Sequence, residues 1–517
     1  IDPGVQGLQP GQRVPATLDL SGTGLTAHEE AVRALLRLNP AGDGFAATAS
    51  LPVAGANLTA PPCRIADSCS TYCGVPAPAA GEQPSPSLRH TFGRATQEPC
   101  MSDSAPEPRP AGAEAVPLGT GTRRWLFRPP RRHGEADTGR NVSFLELFYD
   151  LVYVVLVGQA AHTLAEDFTW RGTATFAVVF GLIWIAWLNG TLFYELHGRE
   201  DGHTRSLIFV QMLLLSLMAV YVGHADGDDG RTLAALYALL LALLSYQWYS
   251  VYRQDRPELR KTPRRYLIVM VVGIIVIAAS APLSADSRLA VWAVFVVGWC
   301  SVECVILIFW RRTPSYDVVT ETMVERFGLF IIIVLGEVVI GVVNGLTDTE
   351  RSTLVTTTGL LGLAVGFGFW WNYADLVSRR LPRESGHSLA TWFFTHLPLT
   401  MAVAAAGAGM VGLVEHATDH RTPVAVSWLM GGAVAVMLIT TVVLLPTLAD
   451  YDRYPSAYKS VQTVLVLAAV VALLVGWSRP APWLLALALL LVLSATWAFA
   501  FVRWLRQGSL INEISAG

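Results

Sequence analysis

The chain has 517 residues, of which 52% are hydrophobic and 15% charged, and its mean hydropathy is +0.43. That is the balance of a membrane protein rather than a soluble one. The net charge of −3 gives no basic surface for nucleic acid. Six cysteines in a chain this long do not make a disulfide scaffold.

Residues 1–140 are rich in Ala, Pro, Gly and Ser, and no apolar run among them is long enough to cross a bilayer. They read as a mostly disordered extension, because too little apolar surface is available to offset chain entropy. One short helix is expected over Ala27–Leu38, with Thr26 as N-cap and Glu29 and Arg33 as an i,i+4 pair. Cys63, Cys69, Cys73 and Cys100 match no zinc spacing. The segment opening at Met101 looks like an ordinary translation start, and residues 1–100 are expected to be either an over-long gene assignment, outside the natural protein, or a dispensable extension. From Thr122 to Arg140 the chain turns basic, with no charged leader followed by an apolar core.

Apolar runs then recur at about 143–165, 173–196, 204–223, 231–252, 266–283, 288–310, 327–345, 354–377, 391–413, 424–447, 459–477 and 481–505. Each is close to the roughly 20 residues that a helix needs to span a bilayer. The expected fold is therefore an all-α polytopic membrane protein with about twelve transmembrane helices. Arginines alternate from loop to loop. Arg199 and Arg205, the run from Arg253 to Arg265, Arg311, Arg312 and Arg326, Arg379 to Arg383, and Arg453 with Lys459 share one side. The opposite loops hold single arginines such as Arg171, Arg231, Arg288, Arg351, Arg421 and Arg479. The positive-inside rule places both termini in the cytoplasm. Trp170, Tyr221, Trp248 and Trp310 suit interfacial belts.

The chain also repeats. Arg199-Glu-Asp-Gly-His203 returns as Arg383-Glu-Ser-Gly-His387, and at the same offset Trp187 meets Trp371 and Phe209 meets Phe393. Two parallel six-helix repeats, 141–311 and 312–507, are expected, followed by a tail at 508–517.

Polar residues interrupt these helices. Glu146 and Asp150 are four residues apart on the first span and so share one face. Facing carboxylates repel, which favours a proton on one of them. Counting about 1.5 Å per residue, Asp150, Asn189, Gln211, Glu303 and His396 fall about 10–12 Å from the arginine-rich end, Asn372 slightly shallower and Glu337 near mid-membrane. A charge at that depth costs on the order of 2.5–3.5 kcal/mol even on the lenient insertion scale. Glu146, Asp150, Glu303, Glu337, Asn189, Asn372 and His396 are thus expected to line one polar cavity open to the cytoplasm. Private satisfaction by a neighbouring helix is the plainer account of each Asn and of His396. No P-loop, dinucleotide fingerprint, metal cluster or nucleophile elbow stands out, so neither a cofactor nor a metal is implied.

Phe144-Leu-Glu-Leu-Phe-Tyr-Asp-Leu-Val-Tyr-Val154 and Glu325-Arg-Phe-Gly-Leu-Phe-Ile-Ile-Ile-Val-Leu-Gly-Glu337 resemble the two signatures of the bacterial low temperature requirement A (LtrA) family. The resemblance covers about residues 140–505 and carries Glu146, Asp150, Glu325, Arg326, Gly336 and Glu337 as signature positions. It implies a multi-pass inner-membrane protein connected with growth in the cold, without a substrate or reaction. The reading that follows is a secondary transporter of a small molecule, coupled to protons, whose partners are the lipid bilayer and that solute. The alternatives are a membrane-embedded lipid-modifying enzyme or a non-catalytic stress or assembly factor.

Overall fold

The computed structural model describes residues 142–199, 201–309 and 319–516, the pair 130–131, and six short strands between Thr17 and Arg64. The chain divides into two compact units, Ile1–Ala111 and Gly112–Gly517. In the first unit Thr17–Leu20 pairs antiparallel with Leu25–His28, and Gly44–Ser50 pairs with Leu36–Ala41, Asn57–Thr59 and Cys63–Arg64. The helix expected over Ala27–Leu38 does not form, since its two ends belong to strands. An isolated helix of that length is marginal in water, and one i,i+4 pair does not change that. Cys69, Cys73 and Cys100, and Trp310 to Arg312, lie outside the described residues.

Among the described residues, the second unit holds twelve helices long and apolar enough to cross a membrane. Spans 1–6 are Phe144–Glu166, Trp170–His197, Gly202–Val222, Asp229–Gln254, Lys261–Ser280 and Ala285–Phe309. Spans 7–12 are Glu321–Asp348, Thr353–Leu376, Gly386–Glu415, Val424–Thr447, Pro455–Ser478 and Pro482–Arg506. Short polar side chains start many of them. Ser143, Thr169, Asp201, Thr320, Ser352 and Ser385 each accept a backbone N–H of the first turn. Those N–H groups have no partner inside the helix, and capping satisfies them where the chain leaves the apolar layer.

Span 1 shows how one helix serves two environments. Phe148, Leu151 and Val155 form an exposed stripe, while Tyr149, Asp150, Tyr153, Val157, Ala160 and Leu164 are buried on the opposite face. Span 1 packs on spans 2 and 3, span 2 on spans 4 and 6, and consecutive helices pair from 3 to 6. The second six repeat this list: span 7 packs on 8 and 9, span 8 on 10 and 12, and consecutive helices pair from 9 to 12. Between the two sets, span 9 lies against spans 1, 2 and 6, and span 7 against spans 1 and 2.

Span 7 departs from a simple helix in two ways. It starts at Glu321, six residues before its apolar run, because Thr320 caps it by accepting Met323 N–H at 3.1 Å. Arg326, expected in a loop, therefore lies inside the bundle. The helix is also broken at Leu335, giving the half-helices Glu321–Val334 and Gly336–Asp348. There Val338 N–H bonds Leu335 C=O at 3.1 Å, a tightened turn at Gly336, whose helix propensity is poor. Span 9 carries Pro398 in its interior.

Candidate functional site

The sequence-predicted polar residues occupy separate environments rather than one chamber. The first is a sealed layer near the arginine-rich end. Asp150 Oδ1 accepts from Arg326 Nη2 at 3.0 Å and from Trp187 Nε1 at 2.9 Å, and both charged side chains are fully buried. The pair joins span 1 to span 7, 176 residues apart. Asp150 Oδ2 and Arg326 Nε and Nη1 have no hydrogen-bond partner among the described residues. Beside it Tyr149 donates to Gln211 Oε1 at 2.6 Å, and Tyr194 OH accepts from Gln211 at 3.1 Å and from Gln247 at 2.9 Å. Tyr153 closes the chain 3.2 Å from Tyr149 OH.

Asp150 thus meets a cation and not Glu146. The Glu146 side chain accepts Ser143 N–H at 3.2 Å, and Ser143 Oγ accepts Glu146 N–H at 3.3 Å, a capping box at the start of span 1. Four-residue spacing puts two side chains on one face, but the capping geometry turns Glu146 back toward its own helix end. Hydropathy gives no sign that Arg326 partners Asp150, because it sees neighbours along the chain and not across it. Glu325, the adjacent signature residue, is exposed.

His396 is drawn toward this layer by aromatic packing. Phe327 lies 5.0 Å from Trp187, 4.6 Å from Trp392 and 4.9 Å from the His396 ring. His396 Nε2 is 3.2 Å from Tyr373 OH and its Nδ1 2.6 Å from Trp392 C=O. Asn189 donates to Ile185 C=O at 2.8 Å within its own helix. Asn372 bridges span 8 to span 12, donating to Leu493 C=O at 3.0 Å and accepting from Thr496 at 2.9 Å. The Asn372 and His396 contacts match the packing roles that interhelical polar groups commonly fill.

Glu303 belongs elsewhere. It lines a cavity of about 40 Å³ among Leu192, Tyr266, Trp299, Phe393 and Phe394, room for roughly a water molecule or two. Its Oε1 has no hydrogen-bond partner among the described residues.

Glu337 is set apart from all of these. It lines a groove of about 360 Å³ between spans 1, 7 and 9, with Val154, Gly158, Ala161, Ile340, Gly341 and Ala408 among the walls. Gln159, His162 and Asn344 are its other polar lining residues, toward the end away from the arginine-rich loops. Glu337 is the second residue of the half-helix that begins after the break. It is 6% exposed, and no hydrogen bond or ion pair reaches its carboxylate from the described residues. Two glycines make the space. A Cβ on Gly158 would lie 2.7 Å from Glu337 Oε1, and one on Gly407 2.8 Å from the Glu337 carbonyl carbon. Neither glycine stands out in sequence, because its value lies in what a helix from elsewhere places against it.

The family model described as bacterial low temperature requirement A protein (LtrA) matches residues 141–500. An uncharacterized protein of Rhizobium meliloti is 26% identical over 272 residues, 50% of this chain and 66% of that protein. Valine–tRNA ligases of Streptomyces coelicolor and Streptomyces avermitilis are 70% and 68% identical over 53 residues, 10% of this chain and 6% of each ligase.

Proposed function

The chain belongs to the bacterial low temperature requirement A (LtrA) family of multi-pass membrane proteins, and we propose that it works as a secondary transporter. The observation that carries the proposal is Glu337: a buried carboxylate without a partner among the described residues, at the break of a discontinuous helix, opening into a groove between the two sets of six spans. Solute sites of many secondary transporters lie near the bilayer midplane, at the junction of repeats, where a helix is interrupted. The shared neighbour list of spans 1–6 and 7–12 supports two parallel six-helix repeats as the source of that junction. The alternating arginine loops support an inner-membrane orientation with both termini in the cytoplasm.

A bare charge is costly within the bilayer, so Glu337 is expected to hold a proton when its groove is empty of solute. Exchange of that proton for a ligand couples solute movement to the proton gradient. The Asp150–Arg326 pair plays a different part in this account. Its two charges neutralise one another across spans 1 and 7 and fix the closed layer on the far side of the groove.

The test is an untargeted comparison of metabolites and lipids in a deletion strain grown warm and cold, complemented by the parent or by Glu337→Gln. The proposal expects a solute to redistribute across the membrane in the deletion and in Glu337→Gln alike. Full complementation by Glu337→Gln, or altered lipids with no solute change, counts against transport.

A further inference from the structure

We propose that the Glu337 groove binds an amphipathic organic ammonium, which reaches it sideways from the bilayer and displaces the proton on Glu337. Three features of the groove lead there. Its acid is nine-tenths buried and, among the described residues, met by no cation, so a ligand that carries its own positive charge can take the place of the proton. Its walls are mainly Val154, Val155, Ala161, Ile340, Ala408 and Val411, which suit an alkyl body. Two of these, Val155 and Ile340, are 53% and 48% exposed on the outside of the bundle, so the groove opens between spans 1 and 7 where hydrocarbon lies.

A volume of about 360 Å³ is at the small end for ligand sites and fits one short alkyl chain with its headgroup. The polar residues Gln159, His162 and Asn344 leave a wetted exit toward the arginine-poor end. The proton displaced from Glu337 departs by that route as the N⁺ takes its place, so net charge in the groove is unchanged. The groups facing Glu337 are few. Span 1 presents Gly158 and, nearer the mouth, His162, which lies 3.5 Å from Glu166. Span 9 presents Gly407 and Ala408, and span 7 itself Gly341 and Asn344.

The assignment deepens the transport reading and rests on it for passage across the membrane, though not for binding. It is tested with the full-length protein in lipid nanodiscs and radiolabelled octylammonium, with octanol and octanoate as competitors. Saturable binding is expected that octanol and octanoate do not displace, and that weakens as pH falls, in the parent and in His162→Ala. Glu337→Gln should lose at least tenfold in affinity, and Gly158→Ala, which crowds the carboxylate without removing it, should lose less. Glu337→Asp should retain binding, and it guards against reading misfolding as loss of the site. Equal competition by octanol, unaltered affinity in Glu337→Gln, or no saturable binding each overturns the proposal. Proteoliposome uptake separates the two readings: binding without any uptake removes transport and keeps the site, while Glu337-dependent uptake of an anion or neutral solute keeps transport and removes the ammonium.

Discussion

Asp150 and Glu337 are both carboxylates on apolar helices, yet their surroundings give them opposite roles. Asp150 is locked to Arg326 and Trp187 with no exposure, and an ion pair so placed is costly to break from one side only. Arg326→Leu should therefore lower stability by about 3–5 kcal/mol, read as a depressed melting temperature in detergent. Replacing both partners, as in Asp150→Asn with Arg326→Leu, should recover part of that loss, because no unpaired charge is left buried. A single variant as stable as the parent would show that the pair is not desolvated. Glu337→Gln should by contrast leave stability within about 1 kcal/mol of the parent, since no partner is lost, while abolishing solute-dependent activity. The sequence revealed which positions were polar and in which helix, but not what each would face. Partners such as Arg326 come from a helix 176 residues away.

At the scale of the helix, the interrupted span 7 and its glycines explain why the groove exists where it does. A Cβ on Gly341 would come 2.2 Å from the backbone oxygen of Gly407, and backbone cannot move aside as a flexible side chain can. Gly341→Ala is therefore expected to push spans 7 and 9 apart and cost about 1–3 kcal/mol. A Cβ on Gly336 meets nothing within 4 Å, so Gly336→Ala should be tolerated in stability even though it strengthens helix at the break. Thermal melts of the two variants, side by side, check this; equal losses would mean that the glycines do not act through spacing. The twelve spans themselves were legible to within a few residues, because bilayer thickness sets their length and hydropathy marks it. The beginning of span 7 was not, since a charged first turn held by a cap and a distant acid defeats a hydropathy window.

For the molecule as a whole, the matching neighbour lists of the two six-helix sets and the alternating arginines point the same way. Both termini should report on the cytoplasmic side when fused to a reporter that is active only there; activity of a single end would break the parallel-repeat account. The expectation of one common cavity erred because depth along a helix is a single coordinate. Residues at similar depth can still face different neighbours around the bundle, as Asp150, Glu303 and Asn372 do.

The central claim is that Glu337 is the reachable acid and Asp150 the sealed one. Labelling with a membrane-permeant carbodiimide, which attacks protonated carboxyls in apolar surroundings, tests it in native membranes without a known substrate. Mapped by mass spectrometry, the adduct should sit on Glu337, be suppressed by octylammonium, and be absent from Asp150. An adduct on Asp150 with Glu337 untouched would contradict the account.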